Sequence, residues 1–222
     1  DKEGCFYTPR EIVQFMCRQT LDAHLTKATG GRFTQDDWDW LRQEATDPDI
    51  CDRRLKRKER DEIDKALNTV TVCDPAVGSG AYPVGMMQEI VLLKTGLIQS
   101  TDDVVDRGGQ TVAEWKEHII THQLFGVDIN PEAVEVCQLR LWLSLVIDAK
   151  EPLPLPNLDF RFVAGDSLID RIGTKRLTDS LPQAPLSDDL FGGPAEGVSV
   201  LEEEISSLRE EFACTDLTPA RA

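Results

Sequence analysis

The 222 residues carry 41% hydrophobic and 29% charged side chains, which excludes a disordered or membrane-embedded polypeptide and leaves room for one α/β domain with a sizeable core. The net charge of −16 repels phosphate backbones and argues against a surface that grips nucleic acid by itself. No apolar run approaches the ~18 residues of a membrane-spanning helix, no basic-then-apolar leader opens the chain, and the start at Asp1 rather than Met points to an excerpt of a longer protein or to disordered residues left out; a cytoplasmic location is expected.

The first element is predicted to start at Thr8, as N-cap, with Pro9 at the first helical position and Glu11 closing a capping box. Ile12, Val13, Phe15 and Met16 supply its apolar face. Gly30-Gly31 ends that helix, Trp38, Trp40 and Leu41 mark a short aromatic cluster, and Asp47-Pro-Asp reads as a turn. The run Arg53-Arg-Leu-Lys-Arg-Lys-Glu-Arg60 is the most basic stretch, and a solvated helix face explains it better than a DNA-facing patch. Residues 1–68 form the predicted N-terminal helical segment.

Thr69-Val-Thr-Val-Cys73 reads as a buried strand. It feeds the loop Asp74-Pro-Ala-Val-Gly-Ser-Gly80 and a helix from Ala81 to Lys94 that Gly96 would end. After a loop over 97–110, Thr111 and Glu114 form a capping box for a helix to His122. Leu124-Phe-Gly-Val-Asp128 is the second strand. Asn130 and Pro131 start an apolar helix to Ile147, expected to be largely buried because Arg140 is its one basic residue before the end. Three prolines make 151–157 an extended connection, and Phe160–Asp166 is the third strand. Strand, helix, strand, helix, strand predicts a mostly parallel sheet with helices on both faces, set over residues 69–168. Residues 169–222 form an acidic, partly irregular stretch in which Leu201, Ile205, Leu208 and Phe212 outline one amphipathic helix.

The six cysteines show no zinc spacing and read as reduced, small apolar side chains. His118 and His122 are four apart but lack a third ligand nearby, so no metal is expected.

The loop at Asp74 carries the chemistry. A strand, a glycine turn and a helix build a nucleotide crevice at the carboxyl end of a sheet. A phosphate-binding loop needs Gly-Lys-Ser/Thr at its end, whereas Gly80 is followed by Ala81-Tyr82. The dinucleotide fingerprint also fails, because the next glycine is Gly85 and not residue 83. A carboxylate at the strand end suits a ligand with a positive amine, and S-adenosylmethionine has both an α-amine and a sulfonium. Asp128, at the end of the second strand, can accept from ribose hydroxyls, and Asp166 can reach an adenine amino group.

Phe6-Tyr-Thr-Pro9, Asp74-Pro-Ala-Val-Gly-Ser-Gly-Ala-Tyr82, Val127-Asp-Ile-Asn-Pro131 and Gly165-Asp-Ser-Leu168 resemble, in that order, the successive motifs of bacterial N6-adenine DNA methyltransferases. The likeness is closest to the large enzymes of type IIG restriction–modification and phage-exclusion systems. Leu139-Arg-Leu-Trp-Leu-Ser-Leu145 also looks like that group, while Val77 and Tyr82 stand where it usually has Cys and Phe. The resemblance implies a Rossmann-like S-adenosylmethionine-dependent core, incomplete on its C-terminal side. It implies that Tyr7, Thr8 and Pro9 form a lid on the methionine end of the cofactor. Asp74, Pro75, Ala76, Gly78, Ser79 and Gly80 would hold the amino-acid moiety, Asp128 the ribose, Ile129 one adenine face, and Asp166 with Ser167 the adenine edge.

The family's catalytic Asn/Asp-Pro-Pro-Tyr/Phe does not occur among the 222 residues. In the family, its aromatic ring stacks on a flipped adenine while its polar groups orient N6 for in-line attack. The expectation is therefore a cofactor-binding part, inactive alone, whose double-stranded DNA is met by regions outside this chain. Two alternatives stay open: a methyltransferase of RNA, protein or a small molecule, and a non-catalytic cofactor-binding module.

Overall fold

A computed structural model of the protein describes residues 8–47, 55–100, 111–149, 157–158, 160–169, 171–172 and 175–176. The chain divides into two units, Asp1–Ser167 and Leu168–Ala222. In the second, strands β4 (Arg171–Ile172) and β5 (Lys175–Arg176) pair antiparallel. The predicted helix over 201–212 lies outside the described residues.

The first unit is α/β. Strands β1 (Val72–Asp74), β2 (Leu124–Asp128) and β3 (Phe162–Ala164) pair in parallel in the order β1-β2-β3. Cys73 lies opposite Phe125 and Val127 opposite Val163, which aligns the carboxyl ends. Parallel strands need crossovers long enough for a helix. Helix α4 (Ala81–Gln99), with α5 (Val112–His118) and a π-turn over Ile119–Gln123, links β1 to β2, and α6 (Pro131–Val146) links β2 to β3. One sheet face is sealed, with Leu124, Gly126 and Phe162 buried. The other, expected to be covered too, is open at Cys73 and Val163 among the described residues, and Arg161 lies over the Phe125 ring there.

Two strands are shorter than read from the sequence. Helix α3 (Arg57–Thr69) takes up Thr69, whose hydroxyl donates to the Lys65 carbonyl, so β1 starts at Val72. β3 is confined to Phe162–Ala164. The second strand and the cap at Thr111 stand as expected, the Glu114 amide donating to the Thr111 hydroxyl.

Helix α1 (Arg10–Ala28) has Pro9, not Thr8, at its N-cap and no side-chain cap bond. Its buried line is Val13, Cys17, Leu21 and Leu25, a spacing of four, while Ile12, Phe15 and Met16 are exposed. Helix α6 departs further from expectation. Val134, Cys137, Leu141 and Leu145 are buried, but Val136, Leu139, Leu143 and Val146 form an exposed stripe on the same helix. The basic run, described from Leu55, lies at the start of α3, where Arg57 and Arg60 both pair with Asp61, as a solvated face would.

The helices α1, α2 (Gln35–Thr46) and α3 all pack on α4. Gly96 does not end α4, which runs on to Gln99. It lets α2 approach: a Cβ there would fall inside the Leu41 carbonyl. Gly96→Ala is expected to lower stability by about 1–3 kcal/mol through overpacking, although alanine is the better helix former. An unchanged urea midpoint would refute this crossing.

A buried charge cluster joins the same helices. Arg42 of α2 donates to both oxygens of Asp22 on α1 at 2.6 and 3.0 Å, and to Glu89 on α4 at 2.9 Å. Arg18 adds a second cation to Glu89 at 3.0 Å. Asp22, Arg42 and Glu89 are buried and paired, as buried charges require, and Arg18 reaches Glu89 from a partly exposed position.

Candidate functional site

The loop between β1 and α4 is held from several sides. The Val77 amide donates to the Val127 carbonyl at 2.9 Å, and the Gly78 amide to the Asp128 carboxylate at 2.7 Å. Arg140 of α6 donates to the Ser79 carbonyl at 2.8 Å and its hydroxyl at 3.2 Å. Gly78 and Gly80 have φ of 50° and 83°, the left-handed region that glycine enters without steric cost. Gly80 also admits α6, since a Cβ there would lie 2.6 Å from the Cys137 sulfur. Val77, where the resembling family usually has Cys, is buried.

Two carboxylates stand at the strand ends. One oxygen of Asp74 accepts the Ala76 amide at 3.0 Å; the other is buried and has no hydrogen-bond partner among the described residues. Burial pushes the Asp74 pKa up, and the charge of Asp128 adds to the rise, partly offset by the Ala76 amide. Asp128 accepts from Gly78 through one oxygen and from the Asn130 amide at 2.9 Å through the other. It therefore serves as a strut between loop and strand as well as a candidate ligand group. Asn130 caps α6, its side chain accepting from the Glu132 and Ala133 amides, with Pro131 at the first helical position.

The sequence-predicted residues are thus brought together in part. Asp74 to Gly80 and Asp128 share the carboxyl end of the sheet. The Gly165 amide donates to the Asp128 carbonyl at 2.9 Å, which draws the Gly165-Asp166-Ser167 segment to the same end. Asp166, Ser167 and Ile129 are exposed there. Thr8 is half-buried and Pro9 exposed at the start of α1, and Tyr7 lies outside the described residues.

Two clefts flank this end. One, of about 210 Å³, runs along β1 and is lined by Cys73, Asp74, Pro75, Tyr82, Met16 and Phe125, among others. The second, of about 310 Å³, lies between α1, α4 and α6 and is lined by Thr8, Arg10, Gln14, Gly85, Gln88 and Arg140, among others. Arg140 was not singled out from the sequence as a site residue. Its signal was there, as a lone cation in an apolar helix. Among the described residues no group of His, Cys, Asp and Glu could hold a metal ion, and no helix is long and apolar enough to cross a membrane. Cys17, Cys73 and Cys137 are free thiols; the first and last are buried and pushed up to about 12 by desolvation, while Cys73 is exposed.

No family model matches the chain. The chain is 28% identical over 179 residues to a Methanocaldococcus jannaschii protein whose name assigns it, provisionally, as a type II restriction enzyme and methyltransferase. The similarity covers 75% of this chain and only 14% of that protein's length.

Proposed function

We propose that the chain is the cofactor-binding part of a restriction-system DNA methyltransferase that transfers a methyl group from S-adenosylmethionine to adenine N6. The carrying observation is the buried, unpartnered oxygen of Asp74 at the end of β1. A buried acceptor left without a donor is costly, and a ligand ammonium would satisfy it by a charge-assisted bond. The name of the Methanocaldococcus jannaschii relative supports DNA methylation in a restriction system, and the ordered motifs support adenine.

In this reading Asp74 accepts the α-amine, and the backbone of Pro75, Ala76, Gly78, Ser79 and Gly80 passes along the amino-acid moiety. Asp128 receives the ribose hydroxyls through the lone pairs that Gly78 and Asn130 leave. Ile129 packs on the adenine, Asp166 and Ser167 take its edge, and Tyr7, Thr8 and Pro9 close over the methionine end. The cofactor supplies the activated methyl group; these residues orient it. The Rossmann-like methyltransferase core is part of the same proposal, as are the segment limits 1–68, 69–168 and 169–222. So is contact with double-stranded DNA through regions outside the chain.

Titration calorimetry with S-adenosylhomocysteine tests the reading. Asp74→Asn is expected to weaken binding about 10-fold or more, the worth of a hydrogen bond to a charged group. In the wild type, affinity should fall as pH drops through the raised Asp74 pKa, because the neutral acid no longer attracts the ammonium. The unliganded fold should move oppositely, since a raised acid pKa means the folded state binds that proton more tightly than the unfolded state. No binding by the wild type would sink the proposal. A methyl-transfer assay on mixed-sequence DNA with the parent protein, reading N6-methyladenine, separates it from RNA, protein or small-molecule transfer.

A further inference from the structure

Several of the described cations are matched to carboxylates: Arg18 to Glu89, Arg32 to Glu62, Arg42 to Asp22, Lys116 to Asp148. Arg140 is not. Its only hydrogen-bond partner among the described residues is Ser79, reached through Nη1. A guanidinium carries five N–H donors, so Nη2 and Nε keep theirs. Arg10 lines the same cleft and also has no acidic partner among the described residues.

One carboxylate, Glu89, belongs to that lining. It is already neutralised by Arg18 at 3.0 Å and Arg42 at 2.9 Å, with Gln14 donating at 3.4 Å. The remaining charge in the cleft is therefore positive. Thr8 and Gln88 offer further polar groups, and Gly85 presents helix backbone without a side chain.

The loop from Asp74 to Gly80 thus has an unsatisfied carboxylate oxygen at its start and a guanidinium with spare donors against Ser79 near its end. A negative group at one end of a loop and a positive group at the other match a zwitterion. We propose that Arg140, aided by Arg10, receives the α-carboxylate of the cofactor's amino-acid end while Asp74 takes its amine. Arg140 is then a binding residue as well as a clamp on Ser79, and it fixes the direction in which the amino acid lies along the loop. This rests on the cofactor reading above.

Calorimetry with S-adenosylhomocysteine and with its decarboxylated analogue, which keeps the amine, isolates the carboxylate. The wild type should prefer the carboxylated ligand by about 10-fold or more, as for a charge-assisted bond. Arg140→Met should lose that preference, with the analogue bound within about twofold of its wild-type affinity. Arg140→Lys should restore part of it, because an ammonium donates as a point charge without the fork. Arg10→Gln, which leaves the Ser79 clamp in place, should lower the preference severalfold and serves if Arg140→Met does not fold.

Equal losses for both ligands in Arg140→Met would reduce Arg140 to loop support and overturn the proposal. A wild type that binds both ligands equally would overturn it alone, leaving the cofactor reading intact. A wild type that binds neither would bring down both.

Discussion

Replacing Arg42 by methionine is expected to cost about 3–5 kcal/mol of folding stability, the usual penalty for removing one partner of a buried ion pair. Arg42 is 4% exposed, and Asp22 and Glu89 are 1% and 4% exposed. Without the guanidinium, Asp22 keeps only the Gln35 amide, at 2.6 Å, and Glu89 keeps Arg18 and Gln14. The penalty comes mainly from Asp22, which cannot reach water. Urea unfolding followed by circular dichroism gives the number, and a loss below about 1 kcal/mol would mean that the cluster is hydrated. Adding Asp22→Leu to Arg42→Met should recover part of the loss, because an apolar pair needs no charge compensation.

Gly80→Ala is the second large effect, and it joins stability to binding. A left-handed backbone costs an alanine about 1–2 kcal/mol, and a Cβ 2.6 Å from the Cys137 sulfur adds about 1–3 kcal/mol of overpacking. Together they should remove about 2–5 kcal/mol and displace the loop, with loss of S-adenosylhomocysteine binding. Cys137→Ala in the same chain removes the sulfur contact but leaves the Cβ and Cα of residue 137 at 3.1 and 3.2 Å and the backbone strain, so it should return part of the stability. Full recovery would show that the left-handed conformation is not needed here. No recovery would show that α6 does not press on Gly80.

The parts of the fold legible in the sequence are those governed by neighbours along the chain. Thr111 with Glu114, Asn130 with Pro131, and Gly30-Gly31 at the end of α1 each act within one helical turn, and each stands where it was read. The glycine loop was legible for the same reason, since Gly78 and Gly80 need a backbone that other residues avoid. Elements set by distant partners were not. An apolar residue shows that burial is possible, not that a neighbour covers it. Phe15 and Leu139 are as apolar as Leu21 and Leu141, and only the latter pair meets packed helices. Gly96 carries helix-ending chemistry by rule, yet the approach of Leu41, 55 residues earlier, decides its role. Nothing local marks Arg42 as buried, because its partners Asp22 and Glu89 lie 20 and 47 residues away in sequence. In the site, Asp74 and Asp128 were read from strand ends, whereas the bond from Arg140 to Ser79 spans 61 residues and no local pattern encodes it.

The packing of α1, α2 and α3 on α4 has a consequence for synthesis. These three helices are synthesised before residues 81–99, which receive them. Isolated helices of 12 to 19 residues are marginal in water, and the Asp22–Arg42 pair lacks Glu89 until α4 emerges. The nascent chain therefore carries residues 10–69 unsettled until the glycine loop and the helix behind it are made. At about 5–20 residues per second, that interval lasts a few seconds, during which Trp38, Leu41 and Leu21 lack α4 to pack against.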